Sequence, residues 1–549
     1  GIHANDLAIL DSGNGRVVIF PGALTAPANS TISAFNALFG QDSYTIGVNN
    51  IGSRALKTAG CGYINRSATG LSVSSSNIIY VSDEYFMRIL GFDASAVSYP
   101  APSTNAPQAS KLIGQSNCYI SGYRPNRTAM SPGTGTVNGG VTTVPVTGSE
   151  DAICGSDQAN NRIMCWANRL AARSKPKIQS DLILGQPSAY ENFPNRNGMP
   201  FANTLYNPRY MDYVSKGNFK GLIVADSTNN RVVGYPRASN TWPGVVGCLG
   251  SSDGVCTSQS ALCWGSFDDN GNRTCGVPNG SHCNLDPNIK CTDNSQCSDN
   301  KCITTDPVLL TVTGVCSTES ANAGTPCIYN NTCTNGTCVS NPLSLMSRLN
   351  SPISAKSDDD GNIWVADSFN HRVVLFCNSP NTVCGTAGVS STCVCDSSNS
   401  NDSIIDLALG QQSKVLRDEI GCTNPSSATL CVPYDVEIKN SKIFVSDKQC
   451  FPRAGVPCDT FTEGEAGRIL VYDLKTASGK FPDGGLASYV IGAPPTKTNP
   501  NGTFFSFGNN SGYKETGLHH WGYCTGVFSG SDNGAACLYN ERSKQGASD

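Results

Sequence analysis

The sequence has little charge and little histidine. Only 15% of its 549 residues are Asp, Glu, Lys or Arg, the formal net charge is −4, and five histidines are present. A nucleic-acid partner needs a basic surface, which this charge balance does not supply. No apolar run reaches the ~18 residues of a spanning helix, so the sequence predicts no membrane span.

The sequence also lacks the usual metal-binding patterns. None of its 26 cysteines forms a C-x-x-C motif. A metal site built from histidines normally needs three converging ligands. His519 and His520 are neighbours, so in a strand they point to opposite faces. Many cysteines without metal motifs indicate disulfides in an oxidising compartment. We therefore predict no metal, no cofactor, and a secreted, extracellular or cell-surface location.

Turn residues are abundant, with 56 Gly and 30 Pro. One pattern recurs six times, as an apolar run that ends at Asp, a polar turn, then Arg and a second apolar run. The copies begin at Leu7, Ile79, Ala152, Leu222, Ile363 and Ile443. Two apolar runs about a polar turn are typical of a β-hairpin.

Each hairpin carries an Asp and an Arg at facing positions. Across a four-residue loop, residues i and i+5 lie opposite each other, and opposite charges there stabilise the pair by about 0.2–1 kcal/mol. The predicted structural pairs are Asp11/Arg16, Asp83/Arg88, Asp157/Arg162, Asp226/Arg231, Asp367/Arg372 and, across a loop insertion, Asp447/Arg468. In the same register Cys154 faces Cys165, which predicts a cross-strand disulfide, subject to geometry. Because the charged pairs recur in every copy, we interpret them as scaffold rather than catalytic groups.

Two shorter motifs accompany the hairpins. A short apolar run closed by Gly follows each of them, at 37–41, 111–115, 182–186, 246–251, 407–411 and 489–493. L-x-x-P precedes two of them, from Leu205 and Leu349. One unit is thus a strand, a hairpin and a strand. Six such units predict an all-β fold, a six-bladed β-propeller.

These motifs resemble the NHL-repeat β-propeller family, especially bacterial extracellular-type members with LGQ and VAD..NNRV motifs in each blade. The nearest stretch is LILGQPSAYENFPNRNG at 182–198, followed by LYNP and LIVADSTNNRVVGY. The resemblance covers most of the chain and implies a propeller. Some NHL-like propellers are lyases that use channel histidines, often with a metal. His371 instead occupies the Asn-His-Arg position of a hairpin turn, which implies a structural role.

A cysteine-rich insertion lies between blades 4 and 5. Twelve cysteines fall between Cys248 and Cys338. Two sub-repeats, from Cys283 and from Cys316, end with the same intervals of 6 and 5 residues. They predict two small disulfide knots, because such a segment needs covalent staples to fold. We assign blades 1–4 to 1–250, the insertion to 251–345, blades 5–6 to 346–492 and a C-terminal segment to 493–549.

Ring closure is expected to involve the C-terminal segment. The first hairpin begins at Leu7, which leaves no room for an inner strand before it, whereas the segment 517–528 has the character of one. We predict that it supplies the closing strand of blade 1 and so removes an exposed sheet edge. Closure within one chain is one interpretation. Donation to a neighbouring subunit, which would build a filament, is the other.

Ten N-x-S/T sequences are candidate glycosylation sites in a suitable host. They are Asn29, Asn65, Asn126, Asn272, Asn279, Asn330, Asn335, Asn401, Asn501 and Asn509. The acidic run 358–362 lacks EF-hand spacing and directly precedes a strand, so we expect a turn there.

The expected function is that of a non-enzymatic extracellular structural or assembly protein. Its propeller would be a rigid platform and the protomer of a surface filament or polymer, with partners that are further copies of the chain or an extracellular protein or glycan. The alternative is a secreted propeller for adhesion or for binding a glycan or peptide, which exposed aromatics at one channel mouth would favour. A propeller lyase or hydrolase is the third class, which histidine-bound metal in the channel would favour.

Overall fold

The computed structural model describes residues 2–3, 5–11, 15–20, 22, 37–40, 60–64, 68–84, 86–94, 107–114, 139–146, 151–166, 180, 182–186, 191–197, 204–237, 262–264, 280–283, 302–305, 314–316, 326–327, 338–340, 349–384, 393–397, 405–414, 416, 427–449, 466–474 and 481–492. These residues form an all-β fold built on six four-stranded antiparallel sheets, which follow one another along the chain.

The first three sheets precede residue 185. Sheet 1 contains β1 (Ile2–His3), β2 (Asp6–Asp11), β3 (Arg16–Phe20) and β4 (Ala37–Phe39). Sheet 2 contains β5 (Ala68–Val73), β6 (Ile78–Asp83), β7 (Arg88–Asp93) and β8 (Lys111–Ile113). Sheet 3 contains β9 (Val141–Val144), β10 (Ala152–Asp157), β11 (Arg162–Trp166) and β12 (Leu182–Leu184).

The insertion interrupts the second half. Sheet 4 contains β13 (Pro208–Val214), β14 (Gly221–Asp226), β15 (Arg231–Pro236) and β16 (Leu262–Trp264). The insertion contains β17 (Gly280–Cys283), β18 (Cys302–Thr305), β19 (Gly314–Cys316), β20 (Pro326–Cys327) and β21 (Cys338–Ser340). Sheet 5 contains β22 (Pro352–Ser357), β23 (Ile363–Asp367), β24 (Arg372–Phe376) and β27 (Leu407–Leu409), with the small pair β25 (Thr382–Cys384) and β26 (Cys393–Cys395) between its last two strands. Sheet 6 contains β28 (Val432–Lys439), β29 (Lys442–Gln449), β30 (Ala466–Asp473) and β31 (Tyr489–Gly492).

Apolar side chains on both faces of the strands build the core. Since strand side chains alternate between faces, Ile79 and Val81 pack toward sheet 1, whereas Tyr80 packs toward sheet 3. Five clusters of this kind each join one sheet to the next along the chain. The strands therefore read as nearly continuous apolar runs, and the stacked sheets form a β-propeller.

The Gly that closes the fourth strand of sheets 1, 2, 3 and 5 has a steric reason. Gly40, Gly114, Gly185 and Gly410 all have φ near +90°, a conformation that favours glycine. A Cβ on Gly410 would lie 2.6 Å from Leu430 Cδ1, and one on Gly185 would lie 2.7 Å from Leu205 Cδ1. In sheets 3 and 5 the Leu before the next sheet therefore packs directly on this Gly, which links two motifs that are separate in sequence.

Sheet 1 differs from the sequence prediction. Ile2 and His3 pair with Leu7 and Asp6, so a short strand does precede the first hairpin. The expectation that no room exists for it is wrong, because two residues are enough to pair at the start of β2. The predicted closing segment 517–528 lies outside the described residues.

Sheet 4 also differs. Its fourth strand is β16, whose Cys263 pairs with Val233, rather than the run at 246–251. Blade 4 therefore extends to Trp264, beyond the predicted boundary at residue 250. The sequence LCWG at 262–265 has the same apolar-then-Gly form as the predicted run, and pairing with β15 decides between them.

The insertion contains two small sheets, one in each sub-repeat. Strand β17 pairs with β18, and β19 pairs with both β20 and β21. Cys283 lies opposite Cys302, and Cys316 lies opposite Cys338. The first and last cysteines of each sub-repeat thus face each other in the same way.

Candidate functional site

The hairpin end of the sheets, where the second and third strands join, carries the Asp–Arg pairs. Asp Oδ2 lies 2.7–2.9 Å from an Arg nitrogen in five of them: Asp11/Arg16, Asp83/Arg88, Asp157/Arg162, Asp226/Arg231 and Asp367/Arg372. None of these side chains is more than 3% exposed. In the sixth pair Asp447 lies opposite Arg468 in register, but the Arg468 side chain lies outside the described part of the structure.

These pairs also hold the strand that enters each sheet. Asp226 accepts a hydrogen bond from the Tyr206 amide at 2.8 Å, and Arg231 donates to the Thr204 carbonyl at 2.8 Å. In sheet 5 the carboxylate of Asp367 accepts from the Asn350 amide at 2.6 Å. Burial raises the pKa of Asp226, while the adjacent guanidinium opposes that rise. The groups are arranged as scaffold, with their hydrogen-bonding capacity directed at the backbone.

A left-handed residue in the hairpin loop reaches forward to the next sheet. Asn161, Asn230 and His371 each follow a 3₁₀ turn and have φ of 53–55°. Asn161 Oδ1 accepts from the Asn207 amide at 2.9 Å, and Asn230 Oδ1 accepts from the Ser351 amide at 2.7 Å. His371 uses Nδ1 for a hydrogen bond to the Cys431 carbonyl. This histidine therefore takes the position that Asn occupies in sheets 3 and 4.

The Gln of the GQ motif supports this loop from the same sheet. Gln186 Nε2 donates to the Asn161 carbonyl, and Gln411 Nε2 donates to the His371 carbonyl, both at 3.1 Å. The recurring sequence letters therefore correspond to one recurring contact. The residues of these motifs make the contacts that join adjacent strands and sheets.

A charged group that the sequence analysis missed lies on the first strands of sheets 4, 5 and 6. We call Asp212, Lys356, Asp435 and Glu437 the axial cluster, because the first strand of a propeller blade lines the central channel. Lys356 is buried, with Nζ 3.9 Å from Glu437 Oε2. Asp212 accepts from the Ser357 amide at 2.8 Å, and Asp435 accepts from Ser354 Oγ at 2.6 Å.

The cluster keeps its lysine charged. Burial acts to lower the pKa of Lys356, but attraction by the three surrounding carboxylates outweighs burial and raises the pKa. Burial raises the pKa of Asp212, against the attraction of Lys356. The ammonium therefore interacts electrostatically with carboxylates from the sheets on both sides of its own. In the sequence, these residues are visible only as polar positions that alternate with apolar ones in the first strands. That they meet becomes evident only when neighbouring sheets are placed side by side.

Two tyrosines lie near the same axis. The rings of Tyr210 and Tyr434 are 5.9 Å apart between centroids and meet edge to face. Arg209 and Glu84 are close enough to affect both tyrosines electrostatically. Burial raises the pKa of Tyr210 well above its usual value, so its hydroxyl stays protonated at neutral pH. Side chains from sheets 4 and 6 therefore meet at this point.

The acidic run 358–362 forms a turn at the opposite end of sheet 5, which we call the turn end. Asp358 accepts from the Asn362 amide at 2.9 Å and from Trp364 Nε1 at 3.1 Å, and burial raises its pKa. Asp359 forms an ion pair with Lys439 of sheet 6, and its carbonyl accepts from Lys216 of sheet 4 at 2.7 Å. The run joins three sheets through side-chain and backbone contacts.

Three disulfides are described. One joins Cys154 to Cys165 across β10 and β11, at the facing positions in sheet 3. The others, Cys377–Cys395 and Cys384–Cys393, close the loop that contains β25 and β26. These bonds constrain a hairpin and a long connection in the same chain.

Several sequence predictions concern residues outside the described set. All ten candidate glycosylation asparagines are among them. Within the described residues, no three His, Cys, Asp or Glu side chains cluster in a way that could hold a metal ion. The same part of the chain contains no helix with the length and hydropathy needed to cross a membrane.

Neither a family model nor a curated protein sequence matches the chain. Among solved structures it is similar to virginiamycin B lyase from Staphylococcus aureus, with TM-score 0.26, 9% identity, and coverage of 74% of this chain and 83% of that chain. It is similar to a protein of unknown function from Bacteroides caccae, with TM-score 0.31, 10% identity, and coverage of 88% and 97%. It is also similar to the PQQ-bound aldose sugar dehydrogenase from Streptomyces coelicolor, with TM-score 0.26, 11% identity, and coverage of 76% and 96%. Similarity at this level concerns the β-propeller fold and does not extend to an activity.

Proposed function

We propose that the six sheets close into one six-bladed propeller of the NHL-repeat type, with sheet 6 against sheet 1. The support is the repetition of one unit, in which an Asp–Arg pair, a left-handed loop residue and a Gly-closed strand recur at equivalent places. Apolar clusters already join each sheet to the next from sheet 1 to sheet 6. Closure of a ring removes the two outermost edges.

The propeller acts as a rigid, non-enzymatic platform in an extracellular assembly. The observation that carries this proposal is the use of buried charge. A general acid or base must reach a substrate proton, whereas the buried Asp–Arg pairs contact each other and the backbone. The axial cluster joins three neighbouring sheets in the same manner. The three disulfides add support for an oxidising, extracellular setting.

The assembly grows by strand donation to sheet 1. Among the described residues, strand β1 pairs with Asp6 and Leu7, whereas β28, the first strand of sheet 6, pairs along seven positions of its neighbour. The segment 517–528 of an adjacent copy completes the inner edge of sheet 1. Head-to-tail donation of this kind does not close on itself and therefore produces a filament.

Electron microscopy of the full chain, secreted through an oxidising pathway, tests the proposal. We expect filaments whose length increases with protein concentration, and single discs after Val527→Asp, because a charge in the donated strand opposes its burial. Leu486→Asp, at an exposed position in the connection between β30 and β31, is the matched control and should still polymerise. Single discs of the unmodified protein at every concentration would contradict the assembly proposal.

A further inference from the structure

Three of the four large hydrophobic side chains that are exposed in the described residues lie at the hairpin end. Phe193 is 44% exposed, Tyr206 is 38% exposed and Phe369 is 50% exposed. The fourth, Leu486, is 64% exposed and lies in the connection from β30 to β31, which packs against the outer strand of sheet 5. Isolated exposed apolar residues are ordinary, but three at one end of adjacent sheets call for an explanation.

Tyr206 and Phe369 occupy the two partner positions of one repeated contact. In sheet 4 the amide of Thr228 donates to the Tyr206 carbonyl at 3.3 Å. In sheet 5 the amide of Phe369 donates to the Asn350 carbonyl at 3.2 Å. The aromatic residue lies just before the first strand in one sheet and in the hairpin loop in the next. Each sheet therefore presents one ring beside the same backbone contact.

Phe193 extends this row toward sheet 3. Its carbonyl accepts from Gln186 Nε2 at 2.9 Å, which ties it to the Gly-closed strand of that sheet. Two residues later, Asn195 and Asn229 exchange side-chain amide hydrogen bonds of 3.0 and 2.9 Å. We call Phe193, Tyr206 and Phe369 the aromatic row. Hydrogen bonds connect the backbone segments that carry these three residues, from sheet 3 to sheet 5. The backbone beneath the rings is therefore held in place.

The described side chains beside the aromatic row are polar and nearly uncharged. The exposed residues in 191–195, 204–207, 227–230, 349–351 and 368–371 include Thr228, Asn230 and Asn350, and Glu191 is the one charged residue among them. The turn end differs, because Lys216, Asp359 and Asp360 are exposed there. An anionic ligand would meet no exposed cation in these segments of the hairpin end.

We propose that the aromatic row binds a neutral polysaccharide. A pyranose ring has an apolar C–H face that stacks on an aromatic ring, while its hydroxyls hydrogen-bond to amide and hydroxyl side chains. A protein partner would favour a contiguous apolar centre, whereas these rings are separated by Asn, Thr and Ser. Stacked sheets lie about 10 Å apart, so the row suits an extended chain of sugars rather than a single one. This goes beyond the platform proposal and is independent of polymerisation.

Native gel electrophoresis of the full chain in gels that contain a soluble polysaccharide tests this surface. The probes are a neutral β-glucan, a neutral α-glucan, a mannan and anionic alginate. We expect retardation by at least one neutral polymer and not by alginate. Tyr206→Ala with Phe369→Ala should weaken this binding at least about tenfold, as for loss of central aromatic contacts. Tyr206→Phe should retain binding, because the ring and not the hydroxyl stacks.

Leu486→Ala is the matched control, since it removes an exposed apolar side chain that is not part of the aromatic row. It should leave retardation unchanged, and circular dichroism should show native folding for every variant. Absence of retardation by all three neutral polymers would overturn the proposal, as would equal binding by the double variant or equal retardation by alginate. If the double variant instead changes the oligomeric state, the row is a protein contact and the proposal is wrong. Microscopy of filaments remains a separate readout, so either proposal can fail alone.

Discussion

The two ends of the sheets join neighbouring strands and sheets by different physics. At the hairpin end, Asp226 and Arg231 form an ion pair 2.8 Å apart with side chains no more than 1% exposed. At the turn end, Asp359 and Lys439 also form an ion pair, but their side chains are 41% and 43% exposed. The first arrangement recurs in sheet after sheet, whereas the second depends on a local acidic turn. The repeated contact is the buried one.

This difference follows from desolvation. A buried ion pair is costly to form and is retained only when further hydrogen bonds satisfy its remaining atoms. Asp226 meets that condition, because it also accepts from the Tyr206 amide and from Asn229 Nδ2. An exposed pair is screened by water and contributes little. Removal of one partner should therefore have very different effects at the two ends.

The largest effect is expected from Arg231→Met. The substitution keeps much of the side-chain volume but leaves the carboxylate of Asp226 buried without its cation. We expect a loss of about 3–5 kcal/mol in the free energy of unfolding, measured by urea denaturation under oxidising conditions. Arg231→Lys tests the geometry, because an ammonium cannot reproduce the planar fork of donors. A loss below about 1 kcal/mol for Arg231→Met would show that the two ends do not differ in this way.

An intermediate effect is expected from Gly410→Ala, which changes the hairpin end without changing charge. The new methyl group would collide with Leu430 Cδ1, and φ of +87° adds backbone strain. We expect a loss of roughly 1–3 kcal/mol in the same measurement. The substitution should cost less in a Leu430→Ala background, because that background removes Cδ1 and Cγ and leaves the contact with Cβ, 2.8 Å away, and the backbone strain. Equal costs in both backgrounds would exclude the packing explanation.

The smallest effect is expected from Lys439→Met at the turn end, about 0.2–1 kcal/mol at neutral pH. Burial acts to raise the pKa of Asp359, but the hydrogen bonds from Lys439 and Asn440 lower it overall. A lowered pKa in the folded state means that this stability is present above the unfolded pKa of about 3.9 and is lost as pH falls through the folded value. The difference between wild type and variant should therefore disappear on acidification. A difference that grows at low pH would contradict the assigned pair.

Sequence reasoning found the hairpins because their register is local. Asp157 faces Arg162 and Cys154 faces Cys165 for the same reason, a loop of four residues between two strands. Sequence reasoning placed the fourth strand of sheet 4 at 246–251. The runs at 246–251 and 262–265 have the same apolar-then-Gly form, and only pairing with β15 selects Leu262–Trp264. Sequence reasoning overlooked β1 because two residues are too few to show alternation.

The axial cluster was beyond local reasoning. Asp212, Lys356 and Glu437 are separated by long stretches of chain and meet because their strands occupy equivalent places in neighbouring sheets. From the sequence, the stabilisation expected for the Asp–Arg pairs was that of a cross-strand contact exposed to solvent. Sequence alone did not show that a further strand and an adjacent sheet would cover them.

The forward reach of the left-handed loop residues has a consequence for biosynthesis. Asn230 hydrogen-bonds to Ser351, which the ribosome adds more than a hundred residues later, and His371 must likewise wait for Cys431. A nascent chain can therefore complete each join only after the following unit has emerged. During translation the sheets would therefore pack in order from the N-terminus. Any partly synthesised chain would end in a hairpin loop whose hydrogen-bond partner has not yet been synthesised.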